Sequence, residues 1–456
     1  MIFKRSIKCF VNIDIKYRKE NAIMKKVKIA LMGLGNVGTG VWMILDSNKK
    51  EIMKRSGYDV EVAKILVRNK DKKRDVEVPE EIITTDFNDI LEDDSIKIVI
   101  EVMGGIEPAK EYMLKCMDRN KHIVTANKML IATEGDELFE KAHDKGVVFN
   151  YEASVAGGIP IIKGIEESLT ANKIEEFYGI VNGTTNYILS KMQLERLNFD
   201  VALKQAQDMG YAEADPTSDI EGFDAQYKLA ILSSLAFGTK VDVNNVYREG
   251  ITKIESIDMK YAKKFDMVIK LLAIAKESNG KLELKVQPTM IPKEHPLANV
   301  YDSFNAIFIK GNAVGDLMFY GRGAGSLPTG SAVVGDIVAI LRSNVDVANY
   351  SHIAQNDLWH REIQNISESH SKFYIRITVI DQPGVLGEIT TILGKYNVSL
   401  RSVIQKGEEN SKGQVTIVLF THKTSEADVS SAIEELMNLK PVITIDNVIR
   451  IEDFKN

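Results

Sequence analysis

The stretch VKIALMGLGNVG (27–38) joins an apolar run to three glycines, and a helical pattern follows it directly. Glycines at this spacing permit a tight turn from strand to helix and let backbone N–H groups approach a pyrophosphate. The order strand, turn, helix therefore predicts a dinucleotide-binding turn, with a glycine-rich turn that binds nothing as the simpler alternative. The residues expected to contact the cofactor here are Gly33, Leu34, Gly35, Asn36, Val37 and Gly38.

Strand-like and helical patterns alternate downstream of this turn. The strand-like runs are VEVAKILVRN (60–69), IKIVIEVMGG (96–105), KHIVTANK (121–128) and GVVFNYEAS (146–154). Such alternation predicts an α/β domain of the Rossmann type, with a doubly wound parallel sheet, over residues 24–150. Ligands bind beyond the carboxyl ends of parallel strands, so we expect Gly104 and Lys128 at the cofactor site. The alternative for Lys128 is an ordinary surface lysine.

The end of the strand at 60–69 bears on the choice of cofactor. An NAD enzyme usually has an acid there, which accepts hydrogen bonds from the ribose 2′-hydroxyl. This chain has Arg68 and Asn69 instead, followed by a run of basic residues at 70–74. A cation suits a 2′-phosphate, so we expect NADP(H) to be preferred and NAD(H) to be possible. A solvated basic loop is the alternative.

The chain after residue 150 predicts two further domains. Residues 151–330 mix strands and helices without regular alternation, which is typical of an α+β domain for substrate binding and dimerisation. A glycine-rich turn and an apolar helix then return the chain to the cofactor domain, to which 331–345 is assigned. A polar linker is expected at 346–371. The order βαββαβ predicts a ferredoxin-like domain over 372–456.

Composition narrows the class of protein. The 456 residues are 44% apolar and 27% charged, as in ordinary globular proteins of several domains. The net charge of −6 and the lack of a basic stripe argue against nucleic acid, and no apolar run is long enough for a membrane helix. Cys9 and Cys116 cannot form a disulfide framework, so we expect a cytoplasmic protein. His352, His360 and His370 lack metal-ligand spacing.

The first 23 residues differ from the rest of the chain. They carry six Lys/Arg against two acids and lack a continuous apolar core, so they do not read as a secretory signal. We expect this leader either to be disordered or to result from a mis-assigned start codon, with Met24 as the natural beginning. A transit peptide fits less well, because the segment is poor in Ser and contains Asp14 and Glu20.

Six motifs follow one another along the chain in a specific order: GLGNVG, TANK, EASVAGGIPII, NGTTNYIL, GYAEADPTSDIEGFDAQYK and YGRGAGSLPTG. With them, residues 24–456 resemble bacterial homoserine dehydrogenases that carry a C-terminal ACT domain. The resemblance implies reversible NAD(P)H-dependent reduction of L-aspartate 4-semialdehyde to L-homoserine, on the route to threonine and methionine. It also implies a homo-dimer or homo-tetramer.

The resemblance assigns roles to residues of these motifs. Lys228 is similar to the family's proton donor to the nascent alkoxide, and Lys128 to its second active-site lysine. Glu213 and Asp224 are similar to ligands of the substrate, and Asp219 to an orienting residue. The remaining pocket residues implied by the motifs are Gly183, Thr184, Gly210 and Gly325.

EASVAGGI resembles the family's loop for a monovalent cation, Na⁺ or K⁺. The ligands implied there are Glu152 and the carbonyl groups of Val155, Gly157 and Ile159. In the C-terminal domain, DQPGVLGEI (381–389) resembles an ACT-domain loop that binds an amino acid between paired domains. The regulatory residues implied are Asp381, Gly384, Val385 and Asn397, with threonine as the expected effector. A purely structural role in dimerisation is the alternative.

The residues Asp224 and Lys228 support this chemistry on their own terms. They lie one helical turn apart at the start of an apolar helix in EGFDAQYKLAIL (221–232). Hydride delivery to an aldehyde builds negative charge on oxygen, which an ammonium stabilises and then protonates. Burial and a second lysine lower the pKa of such a lysine whereas the acid raises it, and the sequence leaves the balance open. The alternative is a surface salt bridge worth about 0.3–0.5 kcal/mol.

Two other functions remain as rivals. Aspartate-semialdehyde dehydrogenase shares the cofactor fold but needs a nucleophilic cysteine and a histidine base. Cys116 is predicted in the middle of a helix and Cys9 in the leader, so this rival is poorly supported. A non-catalytic amino-acid sensor is the other rival, and it does not account for the acidic and lysine motifs.

Overall fold

The computed structural model describes residues 25–278, 280–343, 361–405 and 413–454. The leader and most of the predicted linker, with His352 and His360, lie outside the described residues. Among the helices that are described, none is long and apolar enough to cross a membrane.

The cofactor domain contains a six-stranded sheet in the order β3-β2-β1-β4-β5-β6, with every pair parallel. This is the strand order of the Rossmann fold, so the predicted fold class is confirmed. Its strands are β1 (Lys25–Met32), β2 (Tyr58–Leu66), β3 (Ile83–Thr84), β4 (Ile96–Glu101), β5 (His122–Thr125) and β6 (Phe149–Asn150). Its helices are α1 (Asn36–Ser47), α2 (Lys49–Ser56), α3 (Asn88–Leu91), α4 (Ala109–Asp118) and α5 (Lys128–Lys145).

All four predicted strand-like runs extend beyond the strands that form: β2 ends at Leu66 and β4 at Glu101, and the other two strands are shorter still. The run at 121–128 gives a strand only to Thr125, because Asn127 caps the following helix by accepting a hydrogen bond from the N–H of Leu130. Lys128 is therefore the first residue of α5 rather than the end of a strand. The run at 146–154 forms only the short β6 and then a 3₁₀ turn.

The substrate domain is built on a sheet in the order β12-β11-β7-β9-β10. Its strands are β7 (Ile174–Ile180), β8 (Tyr247–Arg248), β9 (Met267–Ser278), β10 (Lys281–Pro292), β11 (Phe304–Gly311) and β12 (Gly315–Arg322). Its helices are α6 (Ile161–Lys163), α7 (Gly183–Leu194), α8 (Phe199–Asp208), α9 (Thr217–Ile220), α10 (Phe223–Phe237) and α11 (Ser256–Lys264). No strand was predicted for β8 or β9; a mostly apolar run such as MVIKLLAIA, interrupted only by Lys270, fits a buried strand or a buried helix equally well.

The helix after the substrate domain, α12 (Ser326–Arg342), packs on the cofactor domain. Val333 and Ile337 share a core with Ile29 of β1 and Val41 of α1. The two helices approach closely because Gly40 lacks a side chain: a Cβ there would lie 2.0 Å from the carbonyl oxygen of Ser326. The chain thus returns to the cofactor domain and brings the turn before α12 next to the glycine-rich turn.

The C-terminal domain has the predicted βαββαβ order, with its four long strands arranged β18-β14-β16-β15. Its elements are β13 (Glu362–Ile363), β14 (His370–Ile380), α13 (Val385–Lys395), β15 (Leu400–Gln405), β16 (Gln414–Thr421), β17 (Thr424–Ser425), α14 (Glu426–Met437) and β18 (Val442–Ile451).

This domain is less separate than the sequence suggested. β18 pairs in parallel with β10, so one sheet runs through the substrate and C-terminal domains. The end of the predicted linker also belongs to this sheet, because β13 pairs with β10, and β14 begins before residue 372. Both features depend on tertiary pairing, which the local sequence pattern does not encode.

A buried carboxylate fastens the two domains together. Asp258 on α11 is fully buried and accepts hydrogen bonds from the Tyr374 hydroxyl (2.8 Å), the Arg376 guanidinium (2.8 Å) and the Asn447 amide (2.9 Å). These three donors all lie on strands of the C-terminal domain. The domain is therefore attached through a charged, fully bonded contact as well as through sheet pairing.

Candidate active site

The carboxylate of Asp224 lies between two lysines from different domains. Lys228 Nζ is 2.7 Å from Asp224 Oδ2, and Lys128 Nζ is 2.7 Å from Asp224 Oδ1. Asp224 is 4% exposed and Lys228 8% exposed, so the alternative of a surface salt bridge is wrong. The Lys128 side chain is 40% exposed, but it differs from an ordinary surface lysine because it forms an ion pair with this buried acid.

Asn182 is a central residue of this cluster that was not predicted from the sequence. Its side-chain oxygen caps α7 by accepting from the N–H of Thr185 at 2.9 Å. Its amide nitrogen donates to both acids, Asp219 at 2.7 Å and Asp224 at 2.8 Å. The available signal was its position before the helix in NGTT, where a helix cap is expected. Lys228 is anchored beside it, donating to the Val181 carbonyl oxygen at 2.8 Å.

The cluster holds one strongly ionised acid and one lysine with a depressed pKa. Burial alone would raise the pKa of Asp224, but the charges of Lys228 and Lys128 hold it well below its usual value. Burial is the main reason that the pKa of Lys228 is lowered; Asp224 opposes this effect and Lys128 adds to it. The pKa of Lys128 is raised, chiefly by Asp224. The balance that the sequence left open therefore falls toward a lower pKa for Lys228.

The loop that carries Glu213 closes one side of the cluster. Thr184 Oγ1 donates to the carbonyl oxygen of Tyr211 at 2.7 Å and so ties this loop to α7. Glu213 itself is exposed, and its charge contributes to the raised pKa of Lys128. Gly183 has no room for a side chain, since a Cβ would lie 2.8 Å from the Ser303 carbonyl oxygen, and Gly210 has a φ of +73°.

The glycine-rich turn has the geometry that close approach of a phosphate needs. Gly33 has a φ of +107°, and a Cβ there would lie 2.8 Å from the Val102 carbonyl oxygen. A Cβ on Gly38 would lie 2.3 Å from the Gly33 carbonyl oxygen, whereas at Gly35 it would meet nothing within 4 Å. The turn is therefore tight on its inner side and open at Gly35, next to the N-terminus of α1.

Two other segments border this turn. Ser326 Oγ donates to the Asn36 carbonyl oxygen at 2.6 Å, which brings Gly325 (φ +115°) to the nucleotide side. The N–H of Gly33 donates to the Leu66 carbonyl oxygen at 2.9 Å, so the exposed Arg68, two residues later, lies beside the turn. A cofactor bound at the turn could thus contact both segments.

Three comparisons with known proteins agree with this geometry. Models of the homoserine dehydrogenase NAD-binding domain, of homoserine dehydrogenase and of the ACT domain match residues 33–152, 160–338 and 373–441. Homoserine dehydrogenase of Bacillus subtilis is 40% identical over 94% of this chain and 99% of its own length. The enzyme of Pseudomonas aeruginosa is 43% identical over 92% of this chain and 97% of its own.

The chain belongs to the homoserine dehydrogenase family. The crystal structure of a homoserine dehydrogenase from Thiobacillus denitrificans superposes with a TM-score of 0.88, at 42% identity over 94% of this chain and 99% of that one. A hyperthermophilic archaeal homoserine dehydrogenase in complex with NADPH matches with a TM-score of 0.57, at 27% identity over 69% of this chain and 97% of that one. The function is therefore that of an NAD(P)-dependent oxidoreductase acting on a CH–OH group.

A group of buried polar side chains lies at the ends of β4 and β5, immediately before Lys128. Glu101, at the end of β4, accepts from the N–H groups of Met103 (2.7 Å) and Gly104 (3.2 Å) and from the Thr125 hydroxyl (2.6 Å). Burial raises the pKa of this carboxyl. Asn127 donates to the Gly105 carbonyl oxygen at 2.6 Å, immediately before Lys128. Glu101 was not predicted as a site residue; an acid that ends an otherwise apolar strand was the available signal.

The EASVAGGI loop contains a buried carboxylate, that of Glu152. Glu152 accepts from the N–H groups of Ile162 and Lys163, both at 2.9 Å, and burial raises its pKa to about 7. Ala156 and Gly157 both have positive φ, at +54° and +53°, so the chain turns sharply over this carboxylate. A nearby cation would stabilise the ionised form of such a buried carboxylate. The described residues contain no cluster of three or more His, Cys, Asp or Glu side chains suited to a metal ion.

The residues implied for regulation do not meet within one chain. Asp381 and Gly384 (φ +95°) precede α13, whereas Asn397 (φ +58°) follows it. The helix between them has 11 residues, so the two groups are about 16 Å apart along its axis. A site that uses both ends of α13 would therefore need a second copy of the domain.

Cys116 does not fit the nucleophile that an aspartate-semialdehyde dehydrogenase needs. Cys116 lies in α4, is fully buried, and burial raises the pKa of its thiol to about 12. A thiol with that pKa stays protonated at neutral pH and is inert as a nucleophile. Cys9 lies outside the described residues.

Proposed function

We propose that Lys228 is the proton donor in the reduction of L-aspartate 4-semialdehyde to L-homoserine. The observation that carries this proposal is the pair of lysines held at 2.7 Å on the two oxygens of Asp224. A bound reduced nicotinamide would supply the hydride. As negative charge develops on the aldehyde oxygen, the buried ammonium of Lys228 stabilises it and passes its proton to that oxygen. The lowered pKa of Lys228 makes this transfer easier than from an ordinary lysine.

The other members of the cluster would hold the substrate. Asp219 and Asp224 share the Asn182 amide as a donor, which fixes the distance between the two carboxylates. Together with the exposed Glu213, they present negative charge to the ammonium group of the amino-acid substrate. Lys128, held by Asp224 from the cofactor domain, would lie between substrate and nicotinamide. Closure of the cluster thus requires both domains.

NADP(H) is the proposed cofactor, with NAD(H) possible. Arg68 lies two residues after the end of β2, where an NAD enzyme usually has an acid for the ribose 2′-hydroxyl. Arg74 folds the basic loop by donating to the carbonyl oxygens of Asn69 (2.7 Å), Lys70 (2.9 Å) and Lys72 (2.8 Å). Since the archaeal relative was solved with NADPH, the same cofactor is reasonable for this chain.

We also propose a monovalent cation, Na⁺ or K⁺, bound by Glu152 and the carbonyl groups of Val155, Gly157 and Ile159. The raised pKa of Glu152 supports this, because a buried carboxylate gains most from a nearby cation. The ACT domain is proposed to bind threonine at Asp381, Gly384, Val385 and Asn397 in a cytoplasmic homo-dimer or homo-tetramer. The separation of these residues along α13 supports a site shared by two copies.

The decisive experiment follows NADPH oxidation on addition of L-aspartate 4-semialdehyde, with the D-enantiomer as control. Oxidation with the L-form alone supports a substrate site built for an amino acid, and no oxidation with either would favour the sensor. The assay is repeated with threonine, and with sodium replaced by potassium or by choline. Threonine inhibition, and loss of activity in choline, would support the regulatory and cation sites respectively; no change would remove them.

A further inference from the structure

One short segment, Tyr247–Thr252, touches both the catalytic helix and the ACT domain; we call it the bridging segment. Its first two residues form β8, which pairs in parallel with β10 next to β18. The N–H of Glu249 donates to the Val286 carbonyl oxygen at 2.8 Å and extends this attachment. None of the assigned substrate, cofactor or cation residues belongs to the segment.

On its catalytic side, the bridging segment holds the turn that leads into α10. The Arg248 guanidinium donates to the carbonyl oxygen of Glu221, and its Cζ lies 3.5 Å from the centre of the Phe223 ring. Glu221 and Phe223 flank Gly222, whose φ of +84° begins the helix. Asp224 is the next residue. Arg248 therefore contacts the residues on both sides of the turn that sets the position of the Asp224 carboxylate.

Further hydrogen bonds join the bridging segment to the residues before α10. The N–H of Ile251 donates to the Ile220 carbonyl oxygen at 2.8 Å, and Thr252 Oγ1 donates to Glu221 Oε1 at 3.2 Å. A Cβ on Gly250 would lie 2.4 Å from the Ile220 carbonyl oxygen. Only glycine therefore allows the bridging segment to lie this close to the backbone of Ile220. A shift of the bridging segment would therefore displace the turn before Asp224.

On its other side, the bridging segment is held by Arg450 of the ACT domain. This guanidinium is 8% exposed and bonds to Glu249 Oε2 and to the Tyr247 hydroxyl, the latter at 3.2 Å. It also bonds to both oxygens of Glu426, at 2.6 and 3.0 Å, in the first turn of α14. One arginine of the regulatory domain thus joins its own helix α14 to the bridging segment.

We propose that Arg248 is a positioning residue for Asp224, and that Arg450 and Glu249 connect its position to the ACT domain. The inference rests on the proposed role of Asp224 in the reaction. Arg248 acts through the backbone of Glu221 and the ring of Phe223, without touching substrate or cofactor. Any movement of α14 relative to the substrate sheet is passed through the Arg450–Glu249 pair to the turn that holds the catalytic carboxylate.

The first test compares Arg248→Met with Arg248→Lys in the full-length enzyme. Because small misplacements of catalytic groups are costly, we expect Arg248→Met to lower kcat by about 10- to 100-fold with an unchanged KM for NADPH. Arg248→Lys, which can still donate to the Glu221 carbonyl, should recover most of the loss. Arg342→Met is the matched control, since this arginine also donates to a backbone carbonyl, that of Arg55, but far from the cluster.

The outcomes separate the inference from the proposed function. If Arg248→Met keeps the wild-type kcat while Asp224→Asn is inactive, the positioning role is refuted and the role of Asp224 stands. Full activity of Asp224→Asn would refute the role of Asp224 itself. If Arg248→Met does not fold, Phe223→Leu removes only the ring contact and should lower kcat in the same direction, and an unchanged kcat would refute the inference.

The second test examines the connection to the ACT domain with Glu249→Gln. This change breaks the ion pair with Arg450 but leaves Arg450 bonded to Glu426. We expect kcat to fall by about 2- to 30-fold. Glu362→Gln is the control: it removes the 2.8 Å pair with Lys281 where β13 joins β10, four residues along β10 from the partner of Tyr247, and should leave kcat unchanged. Equal effects of the two variants would refute the specific connection.

Discussion

Replacement of Lys228 by methionine tests the proposed mechanism most directly. Methionine is an unbranched side chain one atom shorter than lysine, and it removes the transferable proton and the charge. The buried charge of Asp224 would still be paired, because this carboxylate keeps Lys128 at 2.7 Å and the Asn182 amide at 2.8 Å. The Val181 carbonyl oxygen loses its 2.8 Å donor, which costs about 1–3 kcal/mol of stability. The variant should therefore fold with its acid cluster in place.

The expected effect on turnover follows from the role of a general acid. Such a group contributes about 10²–10⁴-fold to the rate, equivalent to roughly 3–5 kcal/mol of barrier. We expect kcat for aldehyde reduction to fall by that factor, while NADPH affinity, measured by fluorescence titration, stays the same. Lys128 is not expected to replace the missing donor, because Asp224 raises its pKa and so stabilises its protonated form.

The pH dependence gives a second signature with a definite sign. Protonated Lys228 is the donor, so kcat for reduction should fall as pH rises through its lowered pKa. Oxidation of homoserine needs the neutral amine as base, so its kcat should rise over the same range. Both limbs should be absent from the Lys228→Met variant.

The control for this experiment is Lys115→Met, which removes a lysine from another i,i+4 pair, with Glu111 at 2.5 Å on the exposed face of α4. It should leave kcat and the pH profile unchanged. Wild-type turnover in Lys228→Met, or an unaltered pH limb, would refute the assignment of Lys228 as proton donor.

Three further predictions follow from other parts of the structure. Arg68→Asp should shift the kcat/KM preference from NADPH toward NADH, because an acid repels the 2′-phosphate and accepts from the 2′-hydroxyl; an unchanged ratio would mean that the basic loop is only a solvated surface. Glu152→Gln should abolish any dependence of activity on sodium or potassium, measured against choline, and a retained dependence would place the cation elsewhere. Asp258→Ala leaves the Arg376 guanidinium with only the less buried carboxylates of Glu255 and Asp446 and should cost about 1–3 kcal/mol in urea-induced unfolding, whereas Asp208→Ala at the exposed pair with Lys204 should cost little.

Much of the fold could be predicted because its signals are local. The turn at Gly33 and Gly38 joins a short apolar strand to a helix, and each element has a period and a boundary that a few residues define. The same holds for the βαββαβ pattern of the C-terminal domain. β8 and β9 were missed because β8 has only two residues and β9 is apolar on both faces, so neither shows alternation.

The sequence by itself determined the chemistry that is available: glycines for a nucleotide turn, and acids and lysines in EADPTSDIEGFDAQYK and TANK. Only the tertiary structure decided how these groups act together. It brought Lys128 from one domain and Lys228 from another onto a single carboxylate, added Asn182 between the two acids, and buried Lys228 enough to lower its pKa. It also joined the ACT sheet to the substrate sheet. Burial and long-range contact depend on how the whole chain packs, which no local pattern records.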